Sequence, residues 1–210
     1  GNTGSLRQVS KICKEKDIKL ILDAAHMAGT YVNGSDQIKH VGSEADISIF
    51  SFQAVKNLPT ADSGMICFKN EEDLILARKL SWLGIDKDTY SRTSASGQYK
   101  WKYDVPYVGY KYHGNSIMAS IGLVQLKYLD EDNNYRNKIA KLYDKILSKS
   151  EHIKLIPQSD YCSKSSRHLY QIRVINPNKN SNLNRDNLIS FLHKKSIFPG
   201  VHYIDNTNYK

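Results

Sequence analysis

Apolar residues recur at helical spacing at Leu6, Val9, Ile12 and Cys13, behind a Ser5-Leu6-Arg7-Gln8 opening with the spacing of a capping box. The pattern predicts a helix that stops near Asp17. Ile18-Lys19-Leu20-Ile21-Leu22 is then a short apolar run closed by Asp23, the signature of a buried parallel strand. A loop through Gly29, Asn33-Gly34 and Gly42 separates it from a second strand over residues 45–52, and residues 64–68 predict a third. Leu74, Ile75, Ala77 and Leu80 mark the buried stripe of a helix over 71–83, and two more helices are expected over 116–129 and 133–148. Residues 86–106 are polar and Tyr-rich, and a loop of that length is usually functional or mobile.

Beyond residue 150 the texture changes. Strands are expected over 153–156, 168–174 and 197–203, with a helix over 185–195 and an Asn-rich solvated turn over 176–184. The pattern therefore predicts an α/β protein: a larger domain over 1–130 and a small α+β domain over 131–210. A helix feeding a strand that ends in a polar residue suggests an open α/β sheet, where ligands sit beyond the carboxyl ends of the strands. The chain starts at Gly1, and its first residues already read as a loop entering a helix, which suggests a piece of a longer protein.

The balance of 40% hydrophobic and 24% charged residues is that of a globular chain rather than a disordered one. No apolar run reaches the roughly 18 residues that a membrane helix needs. Lys and Arg total 30 against 21 Asp and Glu, a net charge of +9 that favours anionic partners without choosing between nucleic acid and a phosphorylated small molecule. The basic residues are dispersed, and only Tyr110-Lys111-Tyr112-His113 clusters them with aromatics, so nucleic-acid binding rests on charge alone. Cys13, Cys67 and Cys162 are odd in number and far apart, as expected of free thiols in a reducing cytoplasm. His113, His168 and His202 match no common zinc spacing, and no metal is expected.

Four segments carry the candidate chemistry: Asp23-Ala24-Ala25-His26, Ser51-Phe52-Gln53-Ala54-Val55-Lys56-Asn57, Asp62-Ser63-Gly64-Met65 and Gly109-Tyr110-Lys111-Tyr112. Singly each has a bland reading. Asp23 suits a turn, His26 a packed core, Lys56 a solvated surface, and Ser51 a strand end. Together they place an acid at one strand end, and a hydroxyl with a lysine five residues later at another. A pyridoxal phosphate enzyme needs such a set: an amine for the Schiff base, a carboxylate for the pyridinium proton and a hydroxyl for the phosphate.

In this order the segments resemble the DegT/DnrJ/StrS sugar aminotransferases, which are fold-type I pyridoxal phosphate enzymes. Ala119 to Leu126, His168-Leu169-Tyr170 and Gly200-Val201-His202-Tyr203 are similar to the family's later blocks. The resemblance implies that Lys56 carries the cofactor and that Asp23 pairs with its ring nitrogen. It puts His26 at the phenolic oxygen and Ser51 at the phosphate. Lys111 stands where many members have an Asn that reaches the neighbouring subunit's cofactor, and His168 and His202 match positions near the substrate. Asp62-Ser63-Gly64 replaces the usual Glu-Gly-Gly. The implied partners are a nucleotide-diphosphate keto sugar and glutamate with its product 2-oxoglutarate, in a cytoplasmic homodimer. Members acting at carbon 3 commonly have Tyr-Pro shortly before the lysine. The stretch Phe52-Gln53-Ala54-Val55 is closer to the carbon-4 group. Two other readings stay open at this point: a sugar dehydratase of the same family, in which His replaces the lysine, and a non-catalytic subunit that keeps the fold.

Overall fold

The computed structural model describes residues 1–86, 103–176, 183–203 and 205–209. Most of the expected 86–106 loop, including Trp101, and most of the Asn-rich turn lie outside the described residues. The chain divides into two compact units, residues 1–139 with 158–169, and residues 140–157 with 170–210. This differs from the expected division at residue 130. The helix Leu129–Leu147 runs through that position without a break, and residues 158–169 return to the first unit.

In the first unit, α1 (Leu6–Glu15) precedes β1 (Ile21–Asp23), the hairpin β2 (Tyr31–Asn33) and β3 (Ile38–His40), and then β4 (Ile47–Ser51) and β5 (Gly64–Phe68). α2 (Glu71–Ser81) and α3 (Ser116–Leu126) follow, α4 (Leu129–Leu147) belongs to this unit up to residue 139, and β7 (Cys162–Lys164) closes it. The first sheet has the order β1-β4-β5. β1 and β4 are parallel, with Asp23 opposite Ile49, whereas β4 and β5 are antiparallel, with Ser51 opposite Gly64. Where the sequence suggested mainly parallel pairing, the described sheet is mixed. The segment between Ser51 and Gly64 holds no crossover helix, so the chain can only turn back on itself.

The turn that does this is tightly tied. Phe52 N–H donates to the Ser63 carbonyl at 2.8 Å, and Thr60 N–H donates to the Phe52 carbonyl at 2.8 Å. Ala61 takes the left-handed conformation, at φ 83°, and the Thr60 and Ser63 hydroxyls share a short hydrogen bond. Asp62-Ser63-Gly64 thus closes with its serine in a structural bond, and Gly64 is needed because a Cβ there would lie 2.7 Å from the Phe50 carbonyl oxygen.

A second sheet has the order β3-β2-β7, all antiparallel. The β2–β3 hairpin lies in the stretch read as loop. Asn33-Gly34 does mark its turn, where Gly34 N–H donates to the Gln37 carbonyl at 3.0 Å, but three-residue strands leave little alternation to detect. Leu6, Val32 and Val41 form one core cluster, joined by Leu20, Leu22, Met27 and Tyr161. Ala28, Leu58 and Leu129 form another, joined by Phe52. Next to Tyr161 of the first cluster, the buried Glu44 carboxylate pairs with Lys39 at 2.5 Å and accepts from the Tyr161 hydroxyl. Burial pushes Glu44 up, but Lys39 and Tyr161 more than offset this and hold it below its ordinary range.

Several sequence expectations need correction. Ser5 makes no side-chain capping bond, and α1 buries Leu6 and Ser10 while Val9 and Ile12 lie exposed. The buried face of α1 is therefore rotated toward a serine, which donates to the Glu44 carbonyl at 3.1 Å. Ile75, expected in the α2 stripe, is 47% exposed.

The second unit contains β6 (Ile153–Leu155) paired antiparallel with β8 (Ile172–Val174), and α5 (Arg185–Lys194), capped by the Asn184 side chain. The strand expected over 197–203 is absent. That segment has no ladder partner among the described residues, and Phe198 and Tyr203 are exposed. No helix of the described residues is long and apolar enough to cross a membrane.

Candidate active site

The parallel pair β1 and β4 ends, on the carboxyl side, at Asp23 and Ser51. Ala24 N–H donates to the Ile49 carbonyl at 2.8 Å, which carries the ladder one residue past Asp23. The chain then turns. The exposed Asp23 carboxylate accepts from Ala25 N–H at 3.0 Å, an Asx-type turn that places His26 at the same strand end. After β4, Gln53 N–H and the Ser51 hydroxyl oxygen are 3.5 Å apart, and Lys56 N–H donates to the Gln53 carbonyl at 2.9 Å. These turns bring two half-buried side chains together: Lys56 Nζ lies 2.7 Å from His26 Nε2. Two strand-end segments that the sequence placed 30 residues apart thus meet.

Behind this pair stands a layer in which sequence reasoning gave a role only to His168. Asn57, buried, donates through Nδ2 to Asn133 Oδ1 at 2.6 Å and to the Ser166 carbonyl at 2.7 Å. Its Oδ1 lies 2.6 Å from His168 Nδ1. The His168 ring packs on His26, with centroids 4.3 Å apart and planes at 36°. The Ser166 hydroxyl donates to the His26 carbonyl at 2.8 Å. Asn133 is fully buried on α4, where Gly29 makes room for it; at φ 73°, a Cβ on Gly29 would lie 2.4 Å from Asn133 Nδ2. The signal was faint. Asn57 follows the lysine in a motif, but nothing in the local pattern of Asn133 or Ser166 links them to it.

Burial, together with positive charge at His26, Lys56 and Arg136, pushes His168 down from 6.5 to about 4. Between those values the unfolded chain binds a proton that the folded chain excludes. The stability contributed by neutral His168 is therefore complete above pH 6.5 and is lost as pH falls toward 4. Thermal melts of the complete protein are expected to show Tm falling across this window, with a shallower fall for His168→Gln. Equal slopes would deny His168 this role.

The other candidates lie apart from this cluster's bonds. Lys111 forms a bridge with Trp82, its ammonium sits 3.6 Å from the Trp82 ring centroid, and it approaches both ring nitrogens of His113 at 3.1–3.2 Å. His202 belongs to the second unit, where it is exposed beside Tyr203. A cavity of about 470 Å³ lies elsewhere, lined by Phe50, Phe52, Leu58, Met65, Cys67 and Leu129, and does not include Asp23, His26 or Lys56. It is an apolar hollow without the chemistry of the strand ends. Among the described residues no three His, Cys, Asp or Glu side chains converge as metal ligands would.

An amine, an imidazole, a carboxylate and a hydroxyl gathered at the carboxyl ends of two parallel strands are the donor set that pyridoxal phosphate requires. Among the described residues the Lys56 amine is held by an imidazole and paired with no carboxylate, which leaves it able to condense with an aldehyde. Residues 1–209 match the model of the DegT/DnrJ/EryC1/StrS aminotransferase family. The chain belongs to this family. It is 36% identical over 172 residues to a UDP-4-amino-4,6-dideoxy-N-acetyl-β-L-altrosamine transaminase of Campylobacter jejuni, covering 82% of this chain and 42% of that protein. Its fold matches the aminotransferase TlmJ of Streptoalloteichus hindustanus with a TM-score of 0.81 at 29% identity, covering 97% of this chain and 50% of the other. A sugar aminotransferase, Spr1654 of Streptococcus pneumoniae, described as its PMP form, matches with a TM-score of 0.78 at 30% identity, over 95% and 52% of the two chains. The chain spans about half the length of the relatives it matches.

Proposed function

We propose that the complete protein transfers an amino group from glutamate to carbon 4 of a keto sugar carried on a nucleotide diphosphate, with pyridoxal phosphate held on Lys56. The observation that carries this reading is the meeting of Lys56 and His26 in the turns that follow Ser51 and Asp23. The family membership and the 4-amino sugar in the name of the Campylobacter relative support it.

Bound pyridoxal phosphate supplies an aldehyde for amines and a ring that takes up the electron pair left by deprotonation. Lys56 would hold the cofactor through its amine and, once that amine is free, would act as the base and acid that moves the proton of the donor's α carbon. Asp23 would keep the ring nitrogen protonated, and His26 would hydrogen-bond the phenolic oxygen. Ser51 serves the phosphate. In a homodimer Lys111 serves the neighbouring subunit's phosphate, as an ammonium suits an anion. His168 and His202 are the proposed substrate contacts. The free thiols at Cys13, Cys67 and Cys162 suit a cytoplasmic setting.

The test is a panel of 4-keto and 3-keto nucleotide sugars given to the complete protein with glutamate, reading 2-oxoglutarate release. A 4-keto sugar is expected to be turned over at least about tenfold more efficiently than its 3-keto isomer. A preference for the 3-keto sugar would overturn the carbon-4 assignment, and ligand binding without amination would favour a non-catalytic subunit.

A further inference from the structure

We propose that Asn57 is a positioning residue: its amide fixes the tautomer and seat of His168, which in turn supports the His26 ring against which the Lys56 amine rests. The geometry is independent of the proposed function, and its consequence for Lys56 rests on that function.

The argument starts from two backbone carbonyls, which can only accept. Asn133 Nδ2 donates to the Ala28 carbonyl at 3.1 Å, so the amide of Asn133 presents its oxygen to Asn57. The other carbonyl, that of Ser166, also faces Asn57. Two acceptors on one side require the nitrogen of the Asn57 amide there, and both of its hydrogens are used. Its oxygen therefore faces His168 Nδ1, which must be the donor across the 2.6 Å contact. The tautomer of His168 is thus written by main-chain atoms of two distant segments and relayed through two buried asparagines.

His168 is also kept from becoming an imidazolium. The charged groups around it include His26, Lys56 and Arg136, all cationic or able to become so. With Nδ1–H committed to Asn57, His168 packs on His26 as a neutral ring. The same Ser166 that accepts from Asn57 donates its hydroxyl to the His26 carbonyl, so ring and backbone of His26 are held from one side. His26 is then placed to meet Lys56 Nζ. An asparagine next in sequence to the lysine thereby acts on it through His168, 111 residues further along the chain, and not through their shared peptide bond.

The test uses the complete protein with histidine nitrogens labelled, read by long-range nitrogen–proton NMR, with and without added pyridoxal phosphate. Wild-type His168 is expected in the Nδ1–H form, and Asn57→Ala is expected to shift it toward the Nε2–H form. Asn57→Asp keeps an acceptor but adds a charge. It is expected to retain Nδ1–H and raise the titration midpoint of His168 by at least about one pH unit. With cofactor, Asn57→Ala is expected to move the pH midpoint of the visible band of Lys56-bound cofactor by about half a unit or more. It should also lower kcat about tenfold with little change in KM for the amino donor. A wild-type tautomer retained in Asn57→Ala would overturn the proposal, as would a changed tautomer with an unmoved band. If Asn57→Ala does not fold, an unraised His168 midpoint in Asn57→Asp overturns it instead. A wild-type protein that forms no band would remove the proposed function, while the tautomer measurement would still decide whether Asn57 governs His168.

Discussion

Lys56→Ala in the complete protein is expected to abolish borohydride-stable attachment of pyridoxal phosphate and to lower turnover by at least about 10³-fold. The size follows from two losses at one atom. Without Nζ there is no amine to hold the cofactor covalently, and no base at the strand end to move the donor's proton. His26 remains, but its ring packs on His168 while its carbonyl accepts from Ser166, and nothing in that arrangement supplies a primary amine. The fold should tolerate the change. Lys56 is half-buried, and its side chain contacts an imidazole that keeps its other supports. The melting temperature should therefore stay within a few degrees of wild type, as for substitutions outside the packed core. A variant that still fixes cofactor as strongly as wild type would remove Lys56 from its assigned place. A sugar dehydratase would have His at this position, so a functional Lys56 also separates the two chemistries.

The sequence disclosed the strand-end positions far better than the packing around them. Asp23, Ser51 and Lys56 could be found because each closes or follows a short apolar run, and such runs are visible in one dimension. The β4–β5 register, by contrast, depends on Phe52, Thr60 and Ser63 closing a turn, and no hydrophobic period encodes whether a strand returns or crosses over. β7 is Cys162-Ser163-Lys164, with no strand-forming signature. It is a strand only because β2 offers it a ladder. The opposite error occurred over 197–203, where apolar residues suggested a strand and no neighbouring edge exists among the described residues. The asparagine layer was the hardest to see. Asn57, Asn133 and Ser166 are polar residues whose burial is stabilised by one another, and they are separated by 76 and 109 residues along the chain. The helix expected over 116–129 forms as α3, and its apolar residues, among them Ile117, Leu123 and Val124, lie exposed.

Asp23→Asn is expected to lower turnover by about 10²- to 10³-fold, the range for losing one preorganised electrostatic partner of the reacting group. This substitution separates the two explanations that the sequence left for Asp23. As a turn residue, Asp23 needs only an acceptor for Ala25 N–H, and asparagine supplies one at the same place. A purely structural role therefore predicts near-normal turnover with an intact fold. As the partner of a cationic ring nitrogen, Asp23 needs its negative charge, and a neutral amide of equal shape cannot replace it. The electron pair left by deprotonation then has a weaker sink, while attachment to Lys56, which needs only the amine and the aldehyde, survives. The expected signature is thus a split: borohydride-stable attachment at wild-type level, Tm within a few degrees of wild type, and a large loss in kcat. The exposure of Asp23 at the end of β1 sharpens the test, since little packing energy is at stake there. Wild-type turnover in Asp23→Asn would reduce this carboxylate to a turn former and leave the ring nitrogen without its assigned partner.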